Sequence, residues 1–84
     1  MKRILVVDDT PDLLSATCRR LSSLGYVVSS ATNGRIALEA VEAQPPDLIV
    51  LDVMMPELNG FQVARRLRAD PAHAAIKILM VTAK

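Results

Sequence analysis

Apolar residues in this chain fall into two kinds of pattern. Three short runs are apolar without a break: Ile4-Leu5-Val6-Val7, Leu48-Ile49-Val50-Leu51 and Ile78-Leu79-Met80-Val81. They do not alternate with polar residues, so both faces of each strand need cover, as in a parallel sheet flanked by helices. A fourth segment, Tyr26-Val27-Val28-Ser29-Ser30, ends polar and reads as a weaker strand at a sheet edge.

Between these runs the apolar spacing is helical. The first helix is expected to begin at Thr10-Pro11-Asp12. Thr10 can cap free backbone N–H groups, Pro11 fits the first helical position, and Asp12 complements the positive helix end. Leu14, Cys18, Leu21 and Leu24 follow at helical spacing, with Gly25 as the stop. A second helix is expected from about Asn33 to Gln44, ended by Pro45-Pro46. A third starts near Asn59, carries Phe61, Ala64 and Leu67 on one face, and ends near Asp70-Pro71. The order β-α-β-α-β-α-β, with short connections, gives an α/β fold: an open parallel sheet with right-handed crossovers. Ligands of such sheets bind beyond the carboxyl ends of the strands.

Composition narrows the class. At 84 residues the chain is one small domain. With one Phe, one Tyr and no Trp, its core must be built from aliphatic side chains and Met. The formal net charge of +1 comes with neither a basic stripe nor an aromatic cluster, so direct nucleic-acid binding is not expected. The single Cys18 cannot form an internal disulfide and is read as a small core hydrophobe. No signal peptide is visible, and the apolar runs are far too short to span a membrane. A cytoplasmic protein without membrane association is expected.

The acids add chemistry. Asp8 and Asp9 close the first strand, Asp52 closes the third and Thr82 closes the fourth. Parallel strands put those ends on one rim, so the four residues should converge. Three carboxylates close together repel one another, and a divalent cation removes the conflict. Oxygen-only ligands favour Mg²⁺ or Mn²⁺ over zinc. A carboxylate is also a nucleophile able to form an acyl phosphate, and a metal would neutralise charge on the transferring group. Asp52, in the middle of the set, is the nucleophile candidate. Asp8 and Asp9 are the metal-binding pair, and the Thr82 hydroxyl can donate to a phosphoryl oxygen.

Val6-Val7-Asp8-Asp9 resembles the acidic pair of the response-regulator receiver family of two-component systems. Leu51-Asp52-Val53-Met54-Met55-Pro56, followed by Gly60, resembles its phosphorylation loop, and Val81-Thr82-Ala83-Lys84 its switch threonine with the small residue after it. The resemblance covers the whole chain, residues 1–84. It implies a flavodoxin-like doubly wound sheet of strand order 2-1-3-4-5. It implies a signalling switch, not an enzyme, with Asp52 taking a phosphoryl group from a sensor histidine kinase or a phosphotransfer protein. Asp9 and Asp52 would ligate Mg²⁺ directly, Asp8 directly or through water, and Met54 through its backbone carbonyl. Thr82 would move toward the phosphoryl group, and Ala83 would offer its backbone N–H and leave the site accessible.

The chain departs from the family after the fourth strand. Strand five, helix five and the strand-five lysine have no counterpart, and Lys84 is not that lysine because it follows strand four. A fragment of a longer receiver is the expectation. The alternative is completion of the sheet by another chain at the apolar edge of strand four, or self-association there.

Other residues have plainer readings. His73, beside Pro71 and Ala72, is read as a solvent-exposed loop histidine, and Arg65, Arg66 and Arg68 as a solvated basic face. Gly34 and Gly60 are read as turn markers. Two competing functions remain. A haloacid-dehalogenase-type phosphatase would use Asp8 as nucleophile, but it wants an acid two positions later, where Thr10 stands. A receiver-like interaction module without phosphorylation would have lost the acid set, which is present.

Overall fold

The computed structural model describes residues 2–81. Seven elements follow one another: β1 (Arg3–Val7), α1 (Pro11–Ser23), β2 (Val27–Ala31), α2 (Gly34–Ala43), β3 (Leu48–Asp52), α3 (Gly60–Ala69) and β4 (Lys77–Val81). All strand pairs are parallel, in the order β2-β1-β3-β4. Thr82, Ala83 and Lys84 lie outside the described residues, and so do the roles expected of the first two.

Period-two alternation splits the sheet into two faces. Leu5, Val7, Ile49 and Leu51 point into a core shared with Ala37 and Val41 of α2 and Val63 and Leu67 of α3. Ile4 and Val6 point the other way, against Leu14, Cys18 and Leu21 of α1. β1 is thus covered on both faces, which is why its run is apolar throughout. Cover on the α1 side thins toward β4, where Leu79 is 54% and Val81 39% exposed. β4 is an edge strand among the described residues, as its place after β3 implied.

Helix ends explain where the periodic reading held and where it failed. Thr10 stands at the N-cap of α1 with Pro11 after it, but its side chain makes no cap hydrogen bond to the helix. At the other end Gly25 adopts φ +97°. The Gly25 N–H donates to Ser22 O at 3.0 Å and the Tyr26 N–H to Leu21 O at 3.3 Å, the paired bonds of a Schellman stop. Leu24 therefore stands outside the helical period. It is 68% exposed and not part of the buried stripe.

In α3 the buried stripe is Gly60, Val63 and Leu67, with Ala64 half-buried beside it, and Phe61 is 56% exposed. The cause is local. Asn59 and Gln62 form a capping box, with both reciprocal bonds at 2.9 Å, which fixes the first turn. Gly60 then lies so close to the end of β3 that a Cβ on it would fall 2.5 Å from the Asp52 carbonyl oxygen. With Gly60 turned inward, the residue after it must turn about 100° away. Gly34 likewise opens α2 at a close approach, its missing Cβ meeting Leu58 Cβ at 2.8 Å. Both glycines are packing positions and not simple turn markers.

Two further expectations are corrected. His73 is 6% exposed, folded inward by the turn after α3 and held by its N–H to Asp70 O at 2.9 Å. Arg68 is not merely solvated: its Nη1 donates to Ala74 O at 2.8 Å and Ile76 O at 2.7 Å, tying that turn to α3. Arg65 and Arg66 are exposed as expected.

Gly60→Ala should lower stability by about 1–3 kcal/mol, because the new methyl meets backbone that cannot move aside. Urea unfolding would show a lower midpoint, and an unchanged midpoint would contradict the close-approach account. Burial pushes the Cys18 thiol up from its ordinary value. The folded state thus holds this proton to higher pH than the unfolded one. The contribution is fully present below the unfolded thiol pKa and is lost as pH rises through the raised folded value. Cys18→Ala should remove that alkaline loss, and a thermal midpoint with the same alkaline slope as the parent would refute it.

Candidate functional site

Register alone brings the acids together. Val7 pairs with Leu51 across β1 and β3, so Asp8, which follows Val7, comes level with Asp52, which follows Leu51. Asp9 is next along the same rim. The three carboxylates each offer an oxygen, and these oxygens lie within 4.8 Å of one another. Asp52 is 2% exposed, while Asp8 and Asp9 are half-buried. The site therefore has a floor, Asp52, and an open side lined by the acidic pair.

Backbone groups hold the carboxylates in place. Asp8 Oδ1 accepts the Thr10 N–H at 2.9 Å, and the Asp8 N–H donates to Ala31 O at 3.1 Å. Asp52 Oδ1 accepts the Met54 N–H at 3.1 Å. Met54 thus brings its backbone beside the cluster while its side chain is 64% exposed. The Val53 N–H donates to Val81 O at 3.0 Å, and Val53 O accepts the Gly60 N–H at 3.0 Å. The loop after Asp52 is in this way pinned between β4 and the start of α3. Within it Glu57 has φ +66°, a left-handed conformation that side chains other than glycine rarely adopt. Nothing in the sequence marks Glu57 for that conformation. Asn59 caps the helix that follows, so Asp52 has no capping duty.

The donor set fits a hard divalent cation. It is made of carboxylate oxygens on half-open ground, with no imidazole or thiol among the three residues. His73 belongs to a different group, with Glu42 and Asp70, on the turn that precedes β4. Position 10, where a phosphatase of the haloacid-dehalogenase type would carry its second acid, supplies a backbone N–H to Asp8 instead. No described helix is long and apolar enough to cross a membrane.

Comparison with known proteins agrees with this geometry. The family model of the response regulator receiver domain matches residues 4–84. The chain is 45% identical over 83 residues to the alkaline phosphatase synthesis transcriptional regulatory protein PhoP of Bacillus subtilis (strain 168), covering 99% of the chain and 34% of PhoP. It therefore spans about a third of that relative's length. The N-terminal domain of a response regulator receiver protein from Methanoculleus marisnigri JR1 superposes with a TM-score of 0.96 at 42% identity, covering 100% of this chain and 68% of that one. Response regulator TrrA of Thermotoga maritima, solved in complex with Mg(2+)-BeF, superposes with a TM-score of 0.92 at 38% identity, covering 100% and 71%. TrrA has also been solved in complex with histidine kinase ThkA, where it superposes at 0.89 and 38% identity, covering 99% and 70%. The fold is flavodoxin-like, and the chain belongs to the response regulator receiver domain family, the phosphoacceptor signalling modules of two-component systems.

Proposed function

We propose that Asp52 is the phosphoacceptor of this receiver and that Asp8, Asp9, Asp52 and the Met54 backbone carbonyl hold Mg²⁺, with Mn²⁺ as a substitute. The observation that carries this reading is the meeting of three carboxylates within 4.8 Å at the rim where β1 and β3 end, with Asp52 innermost. The phosphoryl donor is a phosphohistidine on a sensor histidine kinase or a phosphotransfer protein. The complex of TrrA with ThkA supports the first, and the Mg(2+)-BeF complex of TrrA supports the metal.

Asp52 attacks phosphorus with one carboxylate oxygen. A P–O bond forms, the P–N bond breaks, and its electron pair stays on that ring nitrogen, so an imidazole already protonated on its other nitrogen leaves as the neutral ring. The product is an acyl phosphate on Asp52. When bound, the cation supplies positive charge against the phosphoryl oxygens and between the carboxylates. The Met54 N–H on Oδ1 orients the carboxylate, and Gly60 keeps the loop close to the strand end. Thr82, directly after the Asp52–Val81 pair of the ladder, would donate its hydroxyl to a phosphoryl oxygen, and Ala83 its backbone N–H. The chemistry is limited to gaining and losing this group, so the unit acts as a switch and not as a turnover enzyme. Residues 1–84 form one receiver unit holding the first four strands, working in the cytoplasm. As the last strand of the described sheet, apolar β4 favours pairing of its edge with another segment or a second copy.

Incubation with Mg²⁺ and acetyl phosphate should add one hydroxylamine-sensitive phosphoryl group, mapped by mass spectrometry to Asp52 and abolished in Asp52→Asn. Label on Asp8 would overturn the assignment. Asp9→Asn should weaken Mg²⁺ binding by about tenfold or more, since Mg²⁺ relies on one or two carboxylates. Isothermal titration reads this directly, and equal affinity in parent and variant would remove Asp9 from the ligand set.

A further inference from the structure

A second group of ligand-type side chains sits at the opposite rim of the sheet. Glu42 lies in the last turn of α2, Asp70 is the C-cap of α3, and His73 is in the turn leading to β4. Phosphoryl transfer at Asp52 uses none of them. His73 is 6% exposed, and its Nδ1 faces both carboxylates, 3.4 Å from Asp70 Oδ2 and 3.9 Å from Glu42 Oε1. One ligand atom from each residue lies within 4.8 Å of the others.

Spacing and charge both point to a shared cation. Charge-assisted N–H···O bonds run about 2.7–2.9 Å, and both separations here are longer. Two ligands each about 2.0–2.1 Å from a tetrahedral ion stand roughly 3.3–3.4 Å apart. The His73–Asp70 separation matches that edge. Glu42, whose side chain is 71% exposed, can rotate to shorten its own.

The charge argument is independent of the distances. Glu42 and Asp70 both stand at helix C-termini, where the helix dipole already disfavours a carboxylate. α2 has no basic residue in its last turn. In α3 the last turn holds Arg66 and Arg68, but Arg68 is engaged with the Ala74 and Ile76 carbonyls. A cation between the two helix ends offsets this charge, and the buried imidazole gives it a nitrogen ligand.

We infer that His73, Asp70 and Glu42 form a second metal site, which takes a borderline divalent ion of the Zn²⁺ type in preference to Mg²⁺. One imidazole nitrogen and two carboxylate oxygens suit Zn²⁺, with water in the fourth position, and are a poor match for an ion that prefers oxygen alone. The bound ion ties the end of α2 to the turn before β4.

The test uses ZnCl₂ and CoCl₂ on the full chain in saturating MgCl₂, so that the acid cluster at Asp52 is already filled. Calorimetry should show one Zn²⁺ bound per chain, and Co²⁺ should give the intense visible bands of a tetrahedral ion. Glu42→Gln should weaken Zn²⁺ binding at least about tenfold, loss of a direct ligand being no milder than loss of an outer-shell partner. That side chain is exposed, so the variant tests the site without threatening the fold. His73→Asn should abolish binding, and Asp9→Asn should leave it intact. No Zn²⁺ binding by the parent, unchanged affinity in Glu42→Gln, or loss in Asp9→Asn would overturn the proposal.

Discussion

Mutual repulsion of three carboxylates is the interaction around which this fold is arranged. At 4.8 Å and an effective dielectric of about 20, two unit charges repel by on the order of 3 kcal/mol, and by less where solvent screens Asp8 and Asp9. The cluster has defined structural support. It is held by strand register, which sets Val7 beside Leu51, and by backbone N–H groups at positions 10 and 54 that accept the cost by donating to two of the acids. The third element of the arrangement is Gly60, which lets α3 start against the Asp52 carbonyl and fixes the loop.

The parallel sheet makes this possible because every strand delivers its carboxyl end to the same rim. Apolar runs serve the same purpose from below. With β1 covered on both faces by α1 on one side and by α2 and α3 on the other, the strand that carries Asp8 and Asp9 is the least free to shift. The acids stand at the ends of the two inner strands, β1 and β3, and not on a long loop. Precise location of charge needs that rigidity.

Much of this was legible from residue pattern. Unbroken apolar runs gave the strands, and acids at their ends gave the site, because strand geometry converts a position in the chain directly into a position on the rim. Helix starts were placed near Asn33 and Asn59, and both asparagines are N-caps in the fold. The misreadings share a cause: they needed tertiary contacts. Phe61 looked like core until Gly60 turned out to take the inward place. Leu24 fitted the period but followed the last helical residue. His73 and Arg68 lie in or beside a turn that folds back on α3, so a polar histidine is buried and an arginine is held by backbone carbonyls. A glycine directly after a helix cap, opposite a functional strand end, was the signal that could have found the α3 face.

Thermal unfolding of the parent, Asp9→Asn and Asp52→Asn with and without Mg²⁺ measures most directly how far a cation offsets the charge of this cluster. Without divalent ions both variants should melt above the parent, because each removes a repelling charge. With saturating Mg²⁺ the parent should rise most and overtake them. Variants that melt below the parent in metal-free buffer, or a parent whose midpoint Mg²⁺ does not move, would contradict the account.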